Sequence, residues 1–218
     1  MDNIITVDCP AEVGKGTVCK LLAKDLDAKV LNSGEIFRTV AYYLKENNVD
    51  IENTTSVINS AENFEYKKIS SNKLYSRDID LISSKISMIP SLRKITIKIQ
   101  KDFVKLYKYK TKMIIAEGRD MGTVIFPKAD VKIFMWAKAE IRAKRRLFQI
   151  NKPTKTQEYN SILQEILYRD MKDMRRKTAP LRPAEDSYLI DNSNLDIEQC
   201  FNRILKIIIR LNTNKWTN

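Results

Sequence analysis

Short, predominantly apolar runs punctuate the chain, and segments with helical spacing separate them. Ile4-Ile5-Thr6-Val7-Asp8 is rich in β-branched residues and has no polar alternation, the pattern of a strand covered on both faces. Val18, Leu22 and Leu26, with Leu21, recur at helical spacing and predict a helix over 17–27. Lys29-Val30-Leu31 predicts a second strand. A helix opening at Ser33-Gly34 and running through Ile36, Phe37, Val40, Ala41 and Leu44 follows it. Met113-Ile114-Ile115-Ala116, Val131-Lys132-Ile133-Phe134-Met135 and Tyr188-Leu189-Ile190-Asp191 read as three further strands. Helices are predicted over 90–107, 139–149, 159–176 and 196–211.

The stretch from Ile51 to Ile89 is polar and weakly patterned, an excursion from the core in mixed short segments. Asn151 to Thr156 contains Pro153 and reads as an exposed loop. Strands alternating with helices predict a parallel α/β sheet flanked by helices. No internal repeat and no low-complexity linker interrupts this order.

Composition narrows the function classes. The 218 residues include no histidine, so Ser-His-Asp triads, imidazole bases and His-ligated metals are excluded. The cysteines are Cys9, Cys19 and Cys200, an odd number with no C-x-x-C pair, which argues against a disulfide framework or a zinc site and fits a reducing compartment. No apolar run approaches the roughly 18–20 residues needed to span a bilayer. Met1-Asp2-Asn3 enters an apolar run without a basic preamble, so no signal peptide is expected. A net charge of +12 fits a solvated basic surface or an anionic partner, and only the placement of the arginines separates the two.

That placement begins at the first strand-to-helix bend. Cys9, Pro10, Ala11, Glu12, Val13, Gly14, Lys15, Gly16 and Thr17 follow the phosphate-loop pattern G-x-x-x-x-G-K-[ST]. The chemistry asks for main-chain N–H groups around phosphate oxygens, a helix N-terminus aimed at them, and a lysine reaching the β and γ phosphates. Gly14, Lys15 and the following helix supply these parts. Cys9 replaces the first glycine, Gly16 stands where the hydroxyl residue usually binds Mg²⁺, and the hydroxyl comes one residue later at Thr17. Glu12 places a carboxylate beside the expected phosphates, which is repulsive unless it turns to solvent.

A second block, Glu117-Gly118-Arg119-Asp120-Met121-Gly122-Thr123-Val124, directly follows a buried strand, and ligands of open α/β sheets sit past strand carboxyl ends. An Arg-Asp pair there can hold a phosphate and a base edge together.

Taken with 31–38 (L-N-S-G-E-I-F-R) and 179–186 (A-P-L-R-P-A-E-D), these blocks resemble bacterial cytidylate kinase, in order and over nearly the whole chain. The segment G-R-D-M-G-T-V-I-F-P is specific to that family and absent in this form from adenylate kinases. The resemblance implies a P-loop NTPase-type sheet with a monophosphate-binding insert at 51–90 and a short lid with its basic helix at 151–176. The core would then be 1–50, 91–150 and 177–218. It implies ATP-dependent phosphorylation of CMP, and of dCMP, with Mg²⁺, in the cytoplasm, by a monomer needing neither nucleic acid nor membrane.

Residue by residue, the resemblance sets Ser33 and Arg38 toward the acceptor nucleotide and Ser84, Arg93 and Asp120 at the cytosine. Arg119 and Arg176 go to the acceptor phosphate, and Arg169 and Asp173 lie near the ribose. Arg169, Asp173 and Arg176 are spaced i, i+4, i+7, which puts them on one helical face. The catalytic set expected is Lys15, Arg119, Arg169 and Arg176. Thr17 is the protein-side metal candidate, and Arg145, Arg146 and Arg175 are expected to join the arginines closing over the phosphates. Two alternatives stay open at this stage: a kinase for another monophosphate such as UMP or AMP, and a basic nucleic-acid-binding protein that kept a P-loop fold without turnover.

Overall fold

The computed structural model describes residues 3–64, 71–150 and 156–216. The chain divides into two compact units, one of residues 1–30 and 107–218, the other of residues 31–106.

In the first unit, β1 (Ile4–Asp8) is buried along its whole length, on both faces of the sheet, as its mostly apolar, β-branched run leads one to expect. It pairs in parallel with β3 (Met113–Gly118) on one side and β4 (Val131–Trp136) on the other, and β4 pairs in parallel with β5 (Tyr188–Asp191). With β2 (Ala28–Asn32) the sheet has five parallel strands in the order β2-β3-β1-β4-β5. In register, Asp8 at the end of β1 stands beside Gly118 at the end of β3, so both strands deliver their following loops to one edge.

Helix α1 (Lys15–Asp25) packs Val18 and Leu22 into a core shared with Ile5, Val7, Ile133 and Cys200, Ile204 and Ile208 of α9 (Ile197–Trp216). α7 (Ala139–Gln149) packs on α8 (Thr156–Arg175). All three cysteines are free and buried. No described helix is long and apolar enough to cross a membrane.

The second unit is helical. Asn32 caps α2 (Ser33–Glu46) by accepting from the Glu35 amide at 3.0 Å. Asn53 caps α3 (Thr54–Glu62) through the Ser56 amide in the same way. α4 (Ser71–Leu74), α5 (Arg77–Ile86) and α6 (Pro90–Tyr107) follow. Pro90 opens α6, where its missing N–H is no loss. The core gathers Val40, Ala41, Leu44, Val57, Ala61, Ile79, Ile86 and Leu92.

The chain between Ile51 and Ile89 is therefore more regular than its polarity suggests. Each short helix buries only two or so apolar residues, such as Val57 and Ala61 in α3 and Ile79 and Ile86 in α5, too few to show as a periodic stripe. The expected exposed loop at 151–156 falls mostly outside the described residues.

Candidate active site

The chain leaves β1 through Cys9 and enters α1 at Gly14, whose φ of 92° only glycine adopts without strain. No side chain caps α1, so its first amides keep their donors, at the positive end of the helix dipole. Lys15 is already the first residue of α1, two positions earlier than periodicity placed the helix start. Its Nζ donates to Glu117 Oε2 at 2.9 Å, and Glu117 is buried at the end of β3. Burial is the largest influence on Lys15 and pulls its pKa down, but the Glu117 carboxylate together with the sulfurs of Cys9 and Cys19 outweighs it and holds the ammonium above its ordinary value. Glu12 also has positive φ, at 58°, and is half-buried.

β3 then delivers Arg119 and Asp120. The guanidinium donates through Nε to Asp173 Oδ2 at 3.2 Å, and its Nη1 lies 3.8 Å from Cys9 Sγ. Burial opposes the charge on Arg119, but Cys9 and Asp173 favour it and its pKa rises. Arg176 follows the last residue of α8, with one guanidinium nitrogen 3.8 Å from Asp173 and another 3.6 Å from Asp120. Its Nε donates to Ala179 O at 2.5 Å. Cys9, Arg119, Asp173, Arg176 and Asp120 thus form one continuous chain of contacts beside the Lys15–Glu117 pair. Arg169 is half-buried on α8, four residues before Asp173. Thr17 is exposed on the first turn of α1.

The block after β3 owes its shape to Asp8. Its two carboxylate oxygens accept from the amides of Met121 (2.9 Å) and Gly122 (2.8 Å), at the start of a π-helical turn over Met121–Ile125. Burial raises the Asp8 carboxyl to about 6 despite those amides. The turn is tight: a Cβ on Gly122 would lie 2.9 Å from Thr6 Oγ1, and one on Gly118 2.8 Å from Met121 Cγ.

Four sequence-derived candidates lie in the second unit. Ser33 is buried as the first residue of α2. Arg38 donates to Asp80 Oδ1 at 2.8 Å and stacks over the Tyr75 ring at 4.7 Å. Arg93 is buried, donates to Ser87 O at 3.3 Å and lies 5.7 Å from the Phe37 ring. Ser84 O accepts from Ser87 Oγ on α5.

One expectation is corrected. Arg145 is not aimed at phosphates, because its guanidinium is committed to Asn192 Oδ1 (3.2 Å), Asn192 O (2.7 Å) and Leu195 O (3.1 Å). Arg146 and Arg175 are exposed. Sequence reasoning passed over Asp8 and Glu117, although each is a carboxylate ending a buried apolar strand, which is a readable signal. It also passed over Arg142 and Asp170, which nothing in their charged helices distinguishes from their neighbours. Among the described residues no group of three or more His, Cys, Asp or Glu side chains is placed to hold a metal ion.

The family profile described as cytidylate kinase matches residues 5–210. A cytidylate kinase of Mycoplasmopsis synoviae is 39% identical over 216 residues, covering 94% of this chain and 97% of that one. A cytidylate kinase of Vibrio cholerae is 34% identical over 94% of this chain and 95% of its own. Among solved structures, TT1252 from Thermus thermophilus shares the fold, with a TM-score of 0.54, 14% identity, and coverage of 95% of this chain and 96% of that one. A parallel sheet that brings a lysine-bearing helix start and an Arg-Asp block to one edge, matched over 94% of the chain by relatives at this identity, places the chain in the cytidylate kinase family.

Proposed function

We propose that the protein transfers the γ-phosphoryl group of ATP to the phosphate of CMP, and of dCMP, forming ADP and the nucleoside diphosphate. One observation carries this reading. Uncapped amides of α1, the Lys15 ammonium, and the Arg119 and Arg176 guanidiniums, drawn from three separated stretches of chain, lie along one edge of the sheet within linked contacts.

The acceptor is a phosphate oxygen already ionised near neutral pH, so no proton needs removing before attack. A chain without histidine can therefore do this chemistry. What it must supply is position and positive charge around a metaphosphate-like transition state. The loop amides and the α1 N-terminus cradle the donor phosphates, and Lys15 bridges β and γ, leaving Glu117 for that task. Arg119, Arg169 and Arg176 hold the acceptor and transferring phosphates, for which a planar guanidinium offers paired donors. Asp173 orients Arg119 and reaches the ribose.

Asp120, with Ser33, Arg38, Ser84 and Arg93 of the second unit, is assigned to the acceptor nucleoside on the strength of the family motifs. The assignment of 51–90 as monophosphate-binding insert and 151–176 as lid has the same footing. Mg²⁺ fits the donor set: Thr17 offers an exposed hydroxyl, and Glu117 Oε2 lies 3.9 Å from where a Cβ on Gly16 would stand. A hard cation that keeps most of its waters needs few such ligands, and it would neutralise charge on the ATP phosphates. The protein is proposed to act as a cytoplasmic monomer, without nucleic acid.

Steady-state ADP formation from ATP, measured across CMP, dCMP, UMP and AMP, tests the reading. Turnover with CMP and dCMP well above the others is expected. Preference for UMP or AMP would reassign the acceptor, and salt-sensitive RNA binding without turnover would replace the kinase reading altogether.

A further inference from the structure

Ala11, inside the phosphate loop, has both its main-chain polar groups taken by side chains from the α7–α8 pair. Its carbonyl accepts from Arg142 Nη1 at 2.9 Å, and its amide donates to Asp170 Oδ1 at 3.3 Å. The two side chains close on each other, with Arg142 Nη2 2.7 Å from Asp170 Oδ2. Arg142 Nε is anchored on Ala137 O at 2.8 Å, at the end of β4. Arg142, Asp170 and Ala11 are all buried. A second brace sits two residues along the loop, where Asn192 Nδ2 donates to Val13 O at 2.8 Å and is itself held by Arg145.

We propose that the buried Arg142–Asp170 pair is a positioning device that fixes the phosphate loop and couples it to the helix that carries Arg169 and Asp173 and ends just before Arg176. It rests on the reading of this loop as the ATP-phosphate cradle. Two lines of argument support it. A buried ion pair is seldom more stabilising than well-packed apolar side chains of similar volume, so stability alone is a poor account of its presence here. The loop also lacks the first glycine of its pattern, and tying the outward carbonyls of Ala11 and Val13 from behind leaves amides on the other side free to face an anion. Asp170 adjoins Arg169 in sequence and lies one turn from Asp173, so a shift of α8 relative to the loop moves the donor and acceptor machinery out of register. Displacements near 1 Å cost phosphoryl-transfer geometry about 100-fold in rate.

The test compares wild type, Arg142→Met, Asp170→Leu, the double variant Arg142→Met/Asp170→Leu, and Asp170→Asn. Three readouts are taken: melting temperature, calorimetric ATP affinity without acceptor, and ADP formation with CMP. Each single apolar variant strands a buried charge and melts early. The double variant removes both charges and regains most of the lost melting temperature. Its ATP affinity nevertheless stays about 10-fold weaker and its kcat about 100-fold lower than wild type. A purely structural pair predicts the opposite, with affinity and turnover returning alongside melting temperature, and that result overturns the proposal.

If the double variant does not fold, Asp170→Asn decides. It keeps shape and an acceptor for the Ala11 amide but loses the charge that orients Arg142. ATP affinity and kcat within threefold of wild type would overturn the proposal, and a fall of about 10-fold or more in either supports it. ATP binding is read without acceptor, so a wild type that binds ATP but phosphorylates no monophosphate sinks the kinase reading while leaving the strut open to test.

Discussion

Gly122 is the position where one added methyl group should be felt most. Its Cβ would stand 2.9 Å from Thr6 Oγ1 and 3.4 Å from two methylene carbons of Lys132. Thr6 cannot easily retreat, because it is fully buried on the central strand and β-branched. The amide of Gly122 is also one of the two that Asp8 holds. Overpacking of this kind costs about 1–3 kcal/mol. In a chain of this length about 2 kcal/mol lowers the melting temperature by roughly 4–8 °C.

The clash is with one oxygen atom, so it is removable. Thr6 Oγ1 finds no hydrogen-bond partner among the described residues, so Thr6→Ala deletes an orphaned polar atom along with a methyl. In the Gly122→Ala background the same change also opens the space that the new methyl needs. Urea unfolding of wild type, both single variants and the double variant should therefore give a favourable coupling of about 1–2 kcal/mol. Turnover should follow, falling in Gly122→Ala and recovering in part in the double variant, because the turn carries Arg119 and Asp120 at its head. Free energies that add to within about 0.5 kcal/mol would refute the steric argument.

Other outcomes follow from the same geometry. Lys15→Met should lower turnover on the order of 10³-fold and also strand the buried Glu117 carboxylate, so adding Glu117→Gln should raise the melting temperature without restoring turnover. Recovered turnover would remove Lys15 from the chemistry. Arg176→Ala should abolish turnover while far-ultraviolet circular dichroism stays native, and near-wild-type ADP formation would exclude it from the site. Asp8 has a carboxyl raised from 3.8 to about 6, so the folded chain takes up a proton between those values that the unfolded chain does not. Its contribution to stability therefore rises as pH falls from about 6 to about 3.8, by roughly 3 kcal/mol, and is at its minimum above that window. Asp8→Asn should flatten that part of the urea-midpoint profile between pH 4 and 7, and an unchanged slope would contradict the assignment.

The three inner strands β1, β3 and β4 were legible as mostly apolar, β-branched runs that are buried nearly throughout, and the flanking β2 and β5, largely unburied, were legible only through short runs such as Val30-Leu31 and Leu189-Ile190. The phosphate loop was legible because Gly14 and Lys15 carry a local pattern whose mechanism is backbone geometry. What escaped was long-range. Arg142 and Asp170 meet across 28 residues, and their pairing is written in no local spacing. Arg145 reads like any other arginine of its helix until the turn around Asn192 is folded against it. The helices between Ile51 and Ile89 were hidden because each contributes only a few side chains to its core. Asp8 was read as the end of a strand, yet it anchors a turn more than a hundred residues away.

The central claim is that amides, a lysine and arginines from distant parts of the chain act together on one phosphoryl group. Single-turnover transfer of label from γ-labelled ATP to CMP, with enzyme in excess, measures it directly in wild type and in Lys15→Met. The account predicts labelled CDP from wild type and essentially none from the variant over the same interval. Equal labelling by both proteins, or label released by wild type only as inorganic phosphate, would contradict it.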